Sequence, residues 1–292
     1  MSNSAFSTAA STAAGYYDSN DADRFYAEIW GGEDIHIGLY NAVNEPIASA
    51  SRRTVEALAA LIQAPQTDSP MESSCVVDLG SGYGGAARHL CQNPLVKVEA
   101  INISAVENTR HRELNRAAGL DRQIQVHDAS FEAVPLEDAC ADVVWSQDAI
   151  LHSGDRQQVM KEAARLLKPG GVMVMTDPMA SDGVPSTSLS AISTILERIH
   201  LSDLGSPERY KVWANNAGLQ RDVWDDRTPM LIRHYSRVRD ELQRRHDELK
   251  LSISPNYLSK MDAGLQHWVE GGNAGRLCWG LMRYRKPEEC WP

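Results

Sequence analysis

The 292-residue chain predicts an α/β fold, a doubly wound and mostly parallel seven-stranded sheet with helices on both faces. Three observations predict it. From residue 74 to residue 176, short apolar runs alternate with helical stretches, the rhythm of βαβ units. The first run ends in a cluster of glycines that opens a helix, and in doubly wound sheets ligands bind at that carboxyl end. Two later apolar runs, at 219–224 and 277–285, supply the remaining strands.

Residues 2–15 (SNSAFSTAASTAAG) are small and hydroxylated, and the first basic residue is Arg24. Residues 1–15 therefore read as a disordered tail rather than an Arg-rich transit peptide. Residues 16–40 are dense in Tyr, Trp and Gly without a clean period. Ile47, Val55, Leu58, Leu61 and Ile62 recur at helical spacing, and Pro65 and Pro70 mark the turn that follows. SCVVDLG (74–80) is a buried strand, and Gly85–Cys91 starts a helix. Val96–Ile103 is the second strand. It leads into a helix with Ser104 as N-cap and Glu107 as its capping-box partner. Gln123–His127 and Ala141–Trp145 are the third and fourth strands. Ser153–Leu167 is a helix closed by Lys168, Pro169, Gly170 and Gly171, and Val172–Thr176 is the fifth strand. The crossovers should be right-handed.

Beyond this the rhythm weakens. Residues 181–218 read as helical, including Leu189–Leu201 and Pro207–Ala217. Leu219–Trp224 is a strand, Thr228–Leu249 one long charged helix and Leu277–Arg285 the last strand. The expected organisation is a single domain over 16–292. Residues 16–73 form an N-terminal helical lid and helix, 74–177 the core, 181–276 a helical cap insertion, and 277–286 the last strand.

The 29 Lys and Arg against 39 Asp and Glu give a net charge of −10, which argues against a nucleic-acid or anionic-membrane binder. No apolar run approaches the roughly 20 residues of a membrane span, and the N-terminus lacks a signal-peptide pattern, so a cytoplasmic protein is expected. Cys75, Cys91, Cys140, Cys278 and Cys290 are odd in number, scattered and without a CxxC pair. Free thiols are expected, not a disulfide framework, and no metal-ligand cluster is evident.

VVDLGSGYGG (76–85) satisfies GxGxxG through Gly80, Gly82 and Gly85, so a dinucleotide enzyme is one reading. Against it, the Asp78 carboxylate near the loop would repel a pyrophosphate and welcome a cation. The second strand ends in Asn102, not in the acid expected for an NAD ribose, and Asp128 closes the third strand.

These features, with VVWSQDAILH (143–152) and LLKPGG (166–171), resemble the Rossmann-like class I S-adenosylmethionine-dependent methyltransferases over residues 74–177. The resemblance implies roles position by position. Gly80, Gly82 and Gly84 let the backbone approach the methionine part of the cofactor, and Asp78 answers its ammonium. Asn102, next to Ile103, meets the ribose hydroxyls. Asp128 accepts from the adenine amino group, with Ala129, Ser130 and Phe131 around the ring; Phe131 reads equally as core packing. Gln147 stands at the tip of the fourth strand. His36, Ile37 and Gly38 belong to a lid over the methionine end.

The flanks narrow the resemblance. Residues 16–40, WSQDAILHSGDR (145–156), DPM (177–179), LGSPERY (204–210), HYSRV (234–238) and the stretch from GLQHWVEGG to LCWG (264–280) resemble the sarcosine/dimethylglycine N-methyltransferases. A more distant likeness, through the Tyr-rich segment and AILH, is to the phosphoethanolamine methyltransferases. The implied reaction is SN2 transfer of a methyl group from S-adenosyl-L-methionine to N,N-dimethylglycine, and to sarcosine, giving glycine betaine, a compatible solute. The implied partners are these small amino acids, with a monomer or a homodimer both open.

His152 is the acid/base candidate. Asp148, four residues earlier, would lie on the same face of a helical turn and orient the imidazole. In the phosphoethanolamine relatives the matching histidine works with a tyrosine, which implies Tyr17 here, or Tyr16 by a one-residue offset. The plainer reading has His152 capping the next helix and Tyr17 packed in the lid. Aromatic faces for the methylated nitrogen are expected from Tyr26, Trp30, Tyr210 and Trp213. Trp30 and Tyr40 also read as a staple holding the N-terminal segment to the core. Gln147 is neutral where the phosphate-binding relatives carry a basic residue, which disfavours phosphoethanolamine. Arg233 is a candidate partner for the substrate carboxylate, with His234 and Arg237 as alternatives on a helix whose charges otherwise read as a solvated face. Rival readings are another small-molecule methyltransferase, an NAD-linked oxidoreductase and a non-catalytic cofactor-binding regulator.

Overall fold

The computed structural model describes residues 19–30, 32–62, 74–184, 192–198, 201 and 203–288. Tyr16, Tyr17, the 1–15 tail, Pro65, Pro70, Cys290 and, of Leu189–Leu201, residues 189–191, 199 and 200 lie outside them.

The first helix, α1 (Asn20–Phe25), is capped by Ser19, whose hydroxyl accepts from the Ala22 N–H at 3.2 Å, and runs into a π-helical turn at Tyr26–Trp30. Helix α2 (Ile47–Ala60) buries Ile47, Val55 and Leu58. The core alternation follows as β1 (Ser74–Leu79), α3 (Gly85–Leu90), β2 (Val96–Asn102), α4 (Ala105–Ala117), β3 (Ile124–Asp128), β4 (Ala141–Gln147), α5 (Arg156–Leu166) and β5 (Leu167–Thr176). Then come β6 (Met179–Ala180), α6 (Ser193–Arg198), α7 (Pro207–Asn216), β7 (Gln220–Asp226), α8 (Thr228–Arg244), α9 (His246–Leu249), α10 (Pro255–Asn273), β8 (Leu277–Cys278) and β9 (Gly280–Arg285).

Seven strands form one sheet in the order β3-β2-β1-β4-β5-β9-β7. The first five are parallel, and β9 runs antiparallel between β5 and β7. The chain winds outward from β1 in both directions, so a crevice opens at the carboxyl ends of β1 and β4. Val76, Val77, Val144, Trp145, Met173 and Val174 are buried in the middle of this sheet, the near-continuous apolar runs that strands covered on both faces require.

Three elements differ from the sequence reading. Strand β5 begins at Leu167: the Lys168–Gly171 turn residues lie inside it, as an irregularity between the Ala141↔Leu167 and Val143↔Val172 pairs. The helix expected over 228–249 breaks at Arg245, whose side chain pairs with Glu28 and Glu248. The last strand splits at Trp279. Leu277–Cys278 pairs with β6 in a separate two-stranded sheet, and Gly280–Arg285 joins the main one. Helices α8 and α10 lie side by side, with the Tyr235 and Trp268 rings stacked at 5.0 Å and Arg239 bound to Asp262. Among the described residues, no helix is long and apolar enough to cross a membrane.

Candidate active site

An open cleft of about 730 Å³ lies at the crevice. Its floor is the turn after β1. Gly80 has φ +80°, and a Cβ there would overlap Ala149, which closes the mouth from the β4 side. Gly82 faces Ile35 across the cleft. Gly84 does not reach the wall. A Cβ on it would run into the His111 imidazole, so its bareness seats α3 against α4 instead of admitting a ligand.

Asp78 lies beneath this turn, 2% exposed. Its carboxylate has no hydrogen-bond donor among the described residues, and burial pushes its pKa up to about 7. An ionised carboxyl so placed is costly unless a cation answers it. The carboxylate therefore fits a ligand with a cationic head.

The next wall is Asn102, Ile103, Ser104 and Glu107. The Asn102 amide donates to Glu107 Oε2 at 3.0 Å and to Asn108 Oδ1 at 3.1 Å. Ser104 does cap α4, accepting from the Glu107 N–H at 3.1 Å. The Glu107 carboxylate, however, bonds Asn102 and faces the cleft, so a buried acid stands beside the tip of β2 after all. Its place one turn into α4, next to an Asn-tipped strand, was the available signal.

Asp128 is a correction. It is exposed, absent from the cleft wall, and tied to α4: Asn108 Nδ2 donates to it at 2.7 Å and Arg112 Nη2 at 2.6 Å. Ala129 likewise serves the backbone, its N–H donating to the Asn102 carbonyl at 3.1 Å. Ser130 and Phe131 do line the cleft, joined by Glu132, whose carboxylate accepts from Ser153 Oγ and the Gly154 N–H.

The fourth wall is Gln147, Asp148, Ala149 and His152. The expected Asp148–His152 pairing does not form as drawn. Asp148 adopts φ +49°, and the helical turn starts only at Ile150, so 148 and 152 do not share a helix face. Asp148 Oδ2 accepts from the Ile37 N–H at 2.7 Å. Oδ1 accepts from Thr176 Oγ1 and Trp279 Nε1, both at 2.8 Å. The residue is a three-way clamp between the N-terminal segment, β5 and the break before β9.

His152 is on the wall, at the end of the 3₁₀ turn Ile150–His152. That turn is gripped through Leu151. Its N–H donates to Asp177 at 3.1 Å, and its carbonyl accepts from Arg156 at 2.6 Å. Tyr210 is a second correction. It is fully buried away from the cleft, and its hydroxyl donates to Asp177 at 2.6 Å. Trp213 packs edge-on against Tyr210 at 5.2 Å and carries Arg209 on its face. Both rings back the His152 turn and line no part of the cleft.

The N-terminal segment covers the other side. Ile35 and His36 face the cleft. Ile37 and Gly38, expected there, are fasteners: Ile37 bonds Asp148, and the Gly38 N–H donates to His234 Nδ1 at 3.0 Å. Tyr40 places its hydroxyl 3.0 Å from the same nitrogen, as a staple would. Burial keeps the pKa values of both His36 and His234 down near 3, so both rings are neutral. Tyr26, Trp30, His234 and Tyr235 form a connected aromatic array, with Trp30 centred 5.2 Å from Tyr26 and 5.1 Å from His234. Arg233 is half-buried beside it and has no ion pair among the described residues.

This sheet order, with a glycine turn after β1 and a polar tip on β2 at the switch point, defines a class I methyltransferase. The family model described as "Methyltransferase domain" matches residues 77–175. The chain is 61% identical over 277 residues to the dimethylglycine N-methyltransferase of Parasynechococcus marenigrum, covering 95% of this chain and 96% of that one. It is 50% identical over 275 residues to the sarcosine/dimethylglycine N-methyltransferase of Halorhodospira halochloris, covering 94% and 96%. A crystal structure of a candidate sarcosine dimethylglycine methyltransferase from Galdieria sulphuraria superposes with a TM-score of 0.85 at 44% identity, over 94% of this chain and 100% of that one. The chain belongs to the sarcosine/dimethylglycine N-methyltransferase family.

Proposed function

We propose that the protein transfers a methyl group from S-adenosyl-L-methionine to N,N-dimethylglycine, and to sarcosine, with glycine betaine as the final product. The observation that carries this reading is a buried carboxylate without a donor, Asp78, beneath the glycine turn that floors a cleft walled in part by His152. A sulfonium donor carrying an ammonium group supplies the methyl cation equivalent. The chain supplies the rest.

Asp78 answers the ammonium. Asn102 and Glu107 present acceptors to ribose hydroxyls, and Phe131 with Ile103 offers apolar faces to the base. His152 takes the proton of the substrate amine, which must be unprotonated to attack. Most of the acceleration then comes from alignment and exclusion of water, since two reactants held in line escape the entropy of a bimolecular encounter. The segment from Ile35 to Tyr40 provides that cover, clamped by Asp148 and His234. No second domain is needed: residues 16–73 and 181–276 act as lid and cap on one domain, working in the cytoplasm.

Labelled S-adenosylmethionine, offered with glycine, sarcosine, dimethylglycine, phosphoethanolamine and ethanolamine in turn, tests the reading. Transfer to sarcosine and dimethylglycine supports it. Label passing to phosphoethanolamine instead would replace the substrate assignment. Binding of NAD but not S-adenosylhomocysteine would replace the cofactor.

A further inference from the structure

Among the described residues, one buried donor on the cleft wall and two outside it have no hydrogen-bond partner, while Asp34 Oδ1 and Ser81 Oγ, also unpartnered, can accept. Backbone N–H groups only donate, so the bond from Gly38 fixes His234 Nδ1 as an acceptor. In the neutral ring the proton is then on Nε2, which is buried without a partner. The Trp30 indole N–H, on a ring 5.1 Å from the His234 ring, is buried and unpartnered too. The Gln147 amide is oriented by Trp145, whose indole N–H donates to Oε1 at 3.2 Å. This leaves the Gln147 NH₂ buried, unpartnered and on the cleft wall. His36 links two of the three: it lines the cleft beside the Gln147 carbonyl, and Gly38, two residues on, holds His234. A buried donor left unpaired carries an uncompensated desolvation cost, so a cluster of them marks a place for an acceptor. Arg233 and Arg237 flank His234 on α8 and favour the ionised form of the Tyr40 phenol that bonds it, against Glu45, and Arg237 also meets Asp240.

We propose that His234 Nε2, Trp30 Nε1 and Gln147 Nε2 seat the carboxylate of the amino-acid substrate, as a neutral donor set beside Arg233 and Arg237. The seat is specific for a carboxylate because three donors with no acceptor among them satisfy an anion and leave an alcohol's own proton unmatched. It places the substrate's charged end at the lid, and its amine is directed towards His152. The sequence offered Arg233, His234 and Arg237 as alternatives; the geometry points to the histidine.

The inference rests on the dimethylglycine reading, and the test separates the two. Steady-state kinetics are measured on dimethylglycine and on N,N-dimethylethanolamine, which lacks the carboxylate, for the parent, Trp30→Phe and Gln147→Glu. Dimethylglycine affinity for the S-adenosylhomocysteine complex is read by calorimetry. Trp30→Phe removes only a donor, and Gln147→Glu keeps the acceptor for Trp145 while adding a repelling charge. The expected result is a rise of tenfold or more in KM for dimethylglycine, a smaller effect on kcat, and a collapse of the preference over dimethylethanolamine. Dimethylglycine KM within twofold of the parent in both variants, or equal losses on both amines, overturns the seat. A parent that methylates neither sarcosine nor dimethylglycine overturns the proposed function instead.

Discussion

The Asp148 carboxylate accepts the Trp279 indole N–H at 2.8 Å, tying the tip of β4 to the break between β8 and β9. The same carboxylate holds the Ile37 backbone at 2.7 Å, so one side chain fastens the N-terminal segment to the sheet. Asp148→Asn puts an NH₂ where only donors arrive. It should lower stability by about 2–3 kcal/mol in urea unfolding and speed proteolysis ahead of Ile37. An unchanged urea midpoint with a fall in kcat alone would return Asp148 to an orienting role on His152.

Asp78 gives a pH-dependent pair of outcomes. Its folded pKa of about 7 lies above the ordinary carboxyl value of 3.8, so its contribution to stability is fully present below pH 3.8 and is lost as pH rises through 7. Asp78→Asn should therefore raise the urea midpoint of the ligand-free protein relative to the parent at pH 8, and much less at pH 5. A cationic ligand favours the ionised carboxyl. S-adenosylhomocysteine should accordingly bind the parent more tightly as pH rises from 6 to 8, and Asp78→Asn at least tenfold more weakly at pH 8. Affinity independent of pH in the parent would remove Asp78 from the cofactor site.

His152→Ala should lower kcat by about 10²–10⁴-fold, the usual worth of a positioned acid/base group, with S-adenosylhomocysteine affinity within threefold of the parent. Equal losses in both would make His152 a structural residue of the 3₁₀ turn.

Tyr210→Phe tests the support of that turn. Losing the hydroxyl on Asp177 should cost about 1–2 kcal/mol of stability and lower kcat several-fold, with KM for dimethylglycine within twofold. A tenfold rise in KM at unchanged kcat would mean that the ring meets the substrate.

The parallel half of the sheet was legible because β1, β4 and β5 carry apolar runs while β2 and β3 alternate, and Ser104 and Gly80 behave as their residue types require. The elements misread are those decided by tertiary contacts. Trp279 splits the last strand because its indole is drawn to Asp148, and Arg245 interrupts a periodic helix to reach Glu28. The cleft followed the same division. Gly80, Gly82, Asn102, Ile103, Ser130, Phe131, Gln147 and His152 line it as position along the strands implied. Asp128, at the end of the third strand, and Tyr210 were assigned through the family resemblance, yet Arg112 and Asp177 claim their polar atoms. Glu107 was hidden by its helix-capping pattern, whereas His234 was already named beside Arg233 and Arg237.

The most direct test of the central claim is the initial rate of glycine betaine formation from dimethylglycine and S-adenosyl-L-methionine, followed by mass for the parent, Asp78→Asn and His152→Ala. The account predicts steady betaine formation by the parent. It predicts a large loss in Asp78→Asn that excess S-adenosylmethionine restores in part, and a loss in His152→Ala that no excess restores. No betaine from the parent, or full turnover by His152→Ala, would contradict it.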